Sequence, residues 1–401
     1  MFRVSQFMQE LITPTPVSAR RDLPGPVVIW NLIRRCNLLC KHCYSISGDT
    51  DFPGELSTQE VFNVMDDLKG FRVPVLILSG GEPLLRPDIF EISHRAKAMG
   101  FYTGLSSNGT LVSEDNIKEI AAVHYDYVGI SLDGIGTTHD AFRRRAGSFD
   151  AALNGLRLCR DNGIKTGMRF TMTADNAGEF PKLLDLMERE AIDKFYLSHL
   201  VYAGRGNKNR GDDARRSFTR QMMDVLFDRA WAAAQKGEVK EFVTGNNDAD
   251  GAYLLLWVRE RFPEKENHIR GKLAQWGGNA SGVNIANIDN LGNVHPDTMW
   301  WHYNLGNVKQ RPFSEIWRDT SDPIMAGLKR RPRTIEGRCG ACSFFDTCGG
   351  NTRVRALQLT GNPWAEDPAC YLTDAEIGCE SGAARLEITP FRGSKHVQAA
   401  E

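Results

Sequence analysis

From about residue 26 to 235, short apolar runs alternate with longer amphipathic ones, six times over. The short runs cover 27–33, 73–79, 102–107, 127–132, 165–173 and 194–202. Each is rich in β-branched or apolar residues, which predicts six strands. The first long run opens with Ser57-Thr58-Gln59-Glu60, a capping box ahead of the helically spaced Val61, Val64, Met65 and Leu68. Further helices are predicted over 89–99, 117–123, 149–162, 177–190 and 215–236, with glycine stops at Gly70, Gly100 and Gly163.

Repeated βα units imply a parallel sheet with right-handed crossovers. Six units suit either a doubly wound sheet or an incomplete barrel. The polar motifs follow several successive strands, as in barrels, rather than gathering at one switch point. The expectation is therefore an α/β fold, a partial (βα)6 TIM-like barrel over 26–237, preceded by an N-terminal segment, 1–25. Beyond 238 helices become hard to trace, and 285–295 reads as a hairpin around a polar, glycine-containing turn. A cysteine-rich region to 380 and a polar tail, 381–401, expected to be mobile, complete the chain.

Composition narrows the function classes. The 401 residues are 41% hydrophobic and 25% charged, the mix of a globular protein with a sizeable core. Lys plus Arg (49) against Asp plus Glu (50) leaves a net charge of −1, so no global field favours nucleic acid or an anionic membrane. Arg143, Arg144 and Arg145 form a local basic run, read as a solvated helix face or an anion contact. No run reaches the roughly 18 apolar residues of a membrane span, and residues 1–11 lack a signal-peptide apolar stretch. The chain reads as cytoplasmic, where its nine cysteines stay reduced and their clusters suggest metal or catalytic sites.

Cys36, Cys40 and Cys43 follow the first strand in a Cys-x3-Cys-x2-Cys pattern. A structural zinc site wants four ligands, and so does an ordinary 4Fe–4S cluster. Three thiols leave one iron open, which is useful only where something else must bind. Gly80-Gly81-Glu82 follows the second strand, with glycines that allow close backbone approach and a carboxylate able to accept from an amine.

Together these motifs resemble the radical S-adenosylmethionine (radical SAM) superfamily. The resemblance implies that SAM completes a 4Fe–4S cluster on the three cysteines and is cleaved reductively to a 5′-deoxyadenosyl radical. It implies that His42, just before the third cysteine, lies near the adenine, and that Gly80, Gly81 and Glu82 meet the SAM amino group. Asn108 and Ser131, after the third and fourth strands, would line the SAM pocket, and Asp133 less so; as Asn-Gly and Asp-Gly neighbours they also suit plain turns. Arg169 is a charge on an otherwise apolar strand, suited to the SAM carboxylate or to a structural ion pair.

Cys339, Cys342, Cys348 and Cys370 make a second set of four thiols. Zinc fits it, but beside a radical SAM core it resembles the SPASM and twitch auxiliary-cluster regions, implying a second 4Fe–4S cluster. Cys379 is an alternative to Cys370, and Cys159 reads as core. Asn279-Ala280-Ser281-Gly282 and Val294-His295-Pro296-Asp297 stand where relatives with two auxiliary clusters carry cysteines, so one auxiliary cluster is expected.

Residues 1–16, 27–45, Ser198-His199-Leu200, Tyr202-Ala203-Gly204-Arg205-Gly206 and 294–303 are similar to the haem d1 biosynthesis branch of the family. That resemblance implies loss of the C3 and C8 propionates from 12,18-didecarboxysirohaem, a sirohaem-derived tetrapyrrole. It also implies an electron donor such as a ferredoxin or flavodoxin, with no nucleic acid or membrane partner. Trp300, Trp301 and Tyr303 could wall a macrocycle or pack an interface. Arg205, Lys208 and Arg210 could hold carboxylates or form a solvated loop, and His199 and His295 could ligate iron or play structural parts. The competing readings are a haem synthase acting on iron-coproporphyrin, a peptide-modifying maturase, and a non-enzymatic iron–sulfur carrier or zinc scaffold.

Overall fold

Continuous apolar runs such as Val75–Ser79 suit strands covered on both faces. In the computed structural model, which describes residues 1–18, 25–379 and 385–391, these runs build one sheet. Its strands are β1 (Phe2–Arg3), β2 (Val27–Asn31), β3 (Val75–Ser79), β4 (Tyr102–Ser107), β5 (Tyr127–Ser131), β6 (Thr166–Met172), β7 (Lys194–His199), β8 (Glu241–Gly245), β9 (Ile285–Ile288), β10 (Asn293–His295) and β11 (Gly306–Asn307). From β2 to β8 neighbours follow chain order and pair in parallel, the order of a barrel rather than of a doubly wound sheet. β1 caps β8 antiparallel, and β9 joins β2 in parallel at the other edge. The run is flanked by other strands instead of closing on itself, so the barrel is partial.

The six expected strands are β2 to β7. β8 adds a seventh parallel strand past residue 237, carrying the sheet into the region read as separate. The capping box forms as expected, with Ser57 accepting from the Glu60 amide and starting the helix Thr58–Gly70. Two longer helices, Ala249–Arg261 and Glu266–Trp276, lie where helices were hard to trace. Ala249–Arg261 buries Gly251, Ala252, Tyr253, Leu254, Leu255, Trp257 and Val258, so no polar stripe marks a helical period in its sequence.

Part of the expected mobile tail is tied down. Residues 385–391 are described, and their backbone engages the barrel side. Arg210 Nε donates to Thr389 O at 2.8 Å, Arg216 Nη2 to Leu386 O at 3.2 Å, and Leu386 N to Glu366 Oε1 at 2.9 Å. The tail docks through carbonyls that satisfy these arginines and through Phe391, whose ring centroid lies 5.6 Å from the Arg210 guanidinium. The remainder of that tail, 381–384 and 392–401, lies outside the described residues. No helix among the described residues is long and apolar enough to cross a membrane.

Candidate active site

The loop carrying Cys36, Cys40 and Cys43 leaves the carboxyl end of β2 and is pinned by β3. Gly81 N donates to Ile33 O at 2.6 Å and Glu82 N to Arg35 O at 2.9 Å. A Cβ on Gly80 would lie 2.5 Å from Ile33 O, and one on Gly81 would overlap the Arg35 carbonyl. The two glycines thus admit the backbone that leads into the cysteines.

Glu82 is fully buried and ties β3 to the end of β4. Its Oε1 accepts from Ser107 Oγ at 2.8 Å and Leu84 N at 3.2 Å, and its Oε2 from Asn108 N at 2.8 Å. Burial raises its carboxyl to about 7 in spite of these donors. Three of roughly four acceptor positions are taken, which leaves about one for an incoming amine. Asn108 continues the chain: its Nδ2 donates to Asn37 Oδ1 at 2.8 Å and stands 3.9 Å from Cys36 Sγ.

Two arginines brace the other side. Arg143 Nη1 donates to Cys40 Sγ at 3.3 Å while Nη2 pairs with buried Asp133. Arg205 Nε donates to Cys40 O at 2.8 Å and Nη1 to Ser47 O at 2.7 Å. Gly204 (φ +53) lets this loop lie against the Cys43 carbonyl, which a Cβ would meet at 2.5 Å. Burial pushes the Cys36 thiol up to about 12, with Glu82 adding to it, and raises Cys40 against the pull of Arg143. At Cys43 burial acts the same way, but Arg205 and hydrogen bonds from Ser45 and Ser47 outweigh it and hold the thiol below its ordinary value.

His42 lies 4.9 Å from Phe142, the rings tilted by 31°, in a cleft that also includes Thr173, Leu200 and Asn209. Burial lowers its imidazole to about 4, so the ring is neutral, and its Nδ1 has no hydrogen-bond partner among the described residues. Ser131 pairs with Arg169 across β5 and β6. Arg169 donates to Ser106 Oγ and lies 5.3 Å over the Tyr196 ring. Among the described residues no carboxylate pairs with it. Three thiols on one braced loop, an imidazole nitrogen without a hydrogen-bond partner and a guanidinium without a carboxylate partner among the described residues fit a cluster with a charged, adenine-bearing partner.

Cys339, Cys342, Cys348 and Cys370 line one chamber with Ala249, Phe344, Phe345 and Leu372, with Arg338 and Asn351 at its border. Cys379 lies outside its lining, with its thiol 3.6 Å from Arg338 O. Among the described residues no three His, Cys, Asp or Glu side chains form a group that could hold a single metal ion. Where thiols are missing, Arg333 Nη1 donates to Asn279 Oδ1 at 2.9 Å, Gly282 N donates to Pro296 O at 2.8 Å and Ser281 Oγ donates to Asp297. Cys159 is fully buried in the core.

Several other candidates have structural partners. His199 Nε2 lies 3.0 Å from Asp250 Oδ2, and His295 Nδ1 lies 2.7 Å from Tyr303 O. Arg205 and Arg210 hold backbone carbonyls, while Lys208 is exposed. Trp300 is fully buried, whereas Trp301 meets Tyr44 edge-on at 5.9 Å beside the cysteine loop. The basic run corrects one expectation: Arg144 and Arg145 are exposed, but Arg143 is buried against a cysteine. Nothing in the composition of three consecutive arginines separates the inward one.

The family model described as the radical SAM superfamily matches residues 30–187. A pre-heme d1 synthase of Dinoroseobacter shibae is 55% identical over 398 residues, covering 99% of this chain and 98% of that protein. An Fe-coproporphyrin III synthase of Methanosarcina barkeri is 46% identical over 356 residues, covering 88% and 89%. Among solved structures, Streptococcus suis SuiB bound to S-adenosylmethionine superposes with a TM-score of 0.68 at 17% identity, covering 88% of this chain and 78% of that one. That last likeness concerns the fold alone. With its three-cysteine loop at the mouth of a partial barrel and near-complete coverage by such relatives, this chain belongs to the radical SAM superfamily.

Proposed function

We propose that this chain is a radical SAM enzyme of haem d1 biosynthesis that removes the C3 and C8 propionates of 12,18-didecarboxysirohaem. The observation that carries the reading is the 55% identity to a pre-heme d1 synthase across 99% of the chain. The family implies a 4Fe–4S cluster and SAM, whose reductive cleavage supplies a 5′-deoxyadenosyl radical for hydrogen abstraction from substrate. Cys36, Cys40 and Cys43 would hold that cluster. His42 offers the adenine a neutral ring with a free nitrogen, Gly80 and Gly81 bring backbone to the mouth, and Glu82 keeps one acceptor position for the amino group. Asn108 and Ser131 line the pocket from β4 and β5. Arg169, with no carboxylate partner among the described residues, would take the methionyl carboxylate.

The shared chamber of Cys339, Cys342, Cys348 and Cys370 supports an auxiliary 4Fe–4S cluster there, with Cys370 rather than Cys379 as fourth ligand. An electron donor such as a ferredoxin or flavodoxin would supply the reducing equivalents. A second reading rests on the 46% identity to an Fe-coproporphyrin III synthase, which would keep the tetrapyrrole but change the product.

Anaerobic incubation of the reconstituted chain with SAM, a reductant and 12,18-didecarboxysirohaem, followed by mass spectrometry, tests the proposal. Loss of two propionate side chains is expected. Conversion to iron-coproporphyrin would favour the second reading, and an unchanged tetrapyrrole would overturn both.

A further inference from the structure

We infer that Arg143, clamped by Asp133, is a positioning residue that sets the charge around Cys40 and raises the reduction potential of the centre this cysteine helps to hold. The inference rests on reading Cys36, Cys40 and Cys43 as holders of a 4Fe–4S cluster. It extends that reading to a side chain with no part in binding SAM.

The geometry is specific. Arg143 Nη1 donates to Cys40 Sγ at 3.3 Å, and Nη2 pairs with Asp133; the two side chains are 8% and 0% exposed. Asp133 follows β5 directly, and its Oδ1 accepts from Thr171 N at 2.7 Å, so its aim is fixed by two neighbouring strands. The helix Thr137–Arg143 ends against the cysteine loop, where Leu39 N donates to Arg143 O at 3.4 Å and Lys41 N to Phe142 O at 3.2 Å. These two backbone bonds join loop and helix end without using the Arg143 side chain. Arg205 adds an independent hold on Cys40 O.

The guanidinium is therefore more than the loop's position requires. Among the described residues the three sulfurs have unlike neighbours. Cys36 faces the neutral Asn108 amide at 3.9 Å, Cys43 the Ser45 hydroxyl at 3.4 Å, and Cys40 alone takes a hydrogen bond from a cation. Cluster potentials follow net charge and hydrogen bonds to the ligating sulfurs. A buried positive charge donating to one sulfur stabilises the state that has gained an electron. Asp133 tempers that charge and keeps it aimed.

Potentiometric titration of the reconstituted full chain, following the electron paramagnetic resonance signal that changes when SAM is added, tests this. The variants are Arg143→Met, Arg143→Lys and Asp133→Asn, each checked for iron content. A lower midpoint in Arg143→Met is expected, with a smaller drop in Arg143→Lys and a measurable shift in Asp133→Asn. An iron-replete Arg143→Met with the wild-type midpoint overturns the inference. If that variant fails to fold or loses iron, unchanged midpoints in both other variants overturn it equally. A wild-type chain lacking any SAM-responsive signal would overturn the site reading itself, and this inference with it.

Discussion

The two cysteine sets of this chain are braced by different surroundings. The N-terminal three are wrapped in polar and cationic groups: Arg143 and Arg205 on Cys40, Asn108 near Cys36, and Ser45 on Cys43. The C-terminal four line a largely apolar chamber with Ala249, Phe344, Phe345 and Leu372, bordered also by Arg338 and Asn351. Two of their thiols accept from backbone amides, Phe344 N donating to Cys342 Sγ at 3.4 Å and Asp367 N to Cys339 Sγ at 3.5 Å. Burial pushes Cys36 and Cys339 alike up to about 12 and Cys342 up to about 11, and only at Cys43 do charge and hydrogen bonds reverse the effect. A group fully ligated by protein can live among apolar walls. One that must admit a zwitterionic partner and accept electrons needs charge and open hydrogen-bonding atoms nearby.

The largest expected effect separates the two sets outright. Replacing Cys36, Cys40 and Cys43 by Ala should abolish reductive 5′-deoxyadenosine formation, whereas replacing Cys339, Cys342, Cys348 and Cys370 should leave SAM cleavage without substrate measurable. Chromatographic assay of 5′-deoxyadenosine checks both, and activity surviving the first change would break the comparison. Next in size, Cys370→Ala should lower bound iron from about eight to about four per chain, each cluster holding four, while Cys379→Ala should leave it near eight.

Gly81→Ala should destabilise the chain by about 3 kcal/mol, the upper end of overpacking costs, because its Cβ meets backbone rather than a movable side chain. Denaturant titration of the metal-free protein reads this. The smallest effect concerns pH. The Glu82 carboxyl is raised from 4.5 to about 7 in the folded chain, so between these values the folded state binds more protons than the unfolded one. Stability from this group is complete below about pH 4.5 and is lost as pH rises through 7, by roughly 3 kcal/mol at most. In the metal-free protein, Glu82→Gln should flatten that loss between pH 5 and 8; an unaltered pH profile would contradict the burial argument.

Much of this was legible before any coordinates. β2 to β7 stand out because each is short and rich in β-branched or apolar residues between amphipathic runs, and the three-cysteine loop because its spacing is rare. The helix Ala249–Arg261 was hidden by being buried nearly all round, and β8 by its short, polar-edged sequence beginning at Glu241. At the site the missing part was the bracing. Arg143 lies within an arginine run whose other members face solvent, and Arg205 reads as a loop cation although it holds two loop carbonyls. The Gly80-Gly81-Glu82 motif points to Glu82 as an acceptor for a ligand amine, while the structure gives most of its acceptor capacity to Ser107, Leu84 and Asn108. Such roles depend on which strand ends meet, and no local pattern encodes that.

Electron–nuclear double resonance on the reduced N-terminal centre, with SAM carrying ¹⁵N at the amino group and ¹⁷O at the carboxylate, bears most directly on the account. Hyperfine coupling to both labels is predicted, because three protein sulfurs leave one iron for those two groups. An N-terminal centre that shows no coupling to either label, with every iron ligated by the protein, would contradict it.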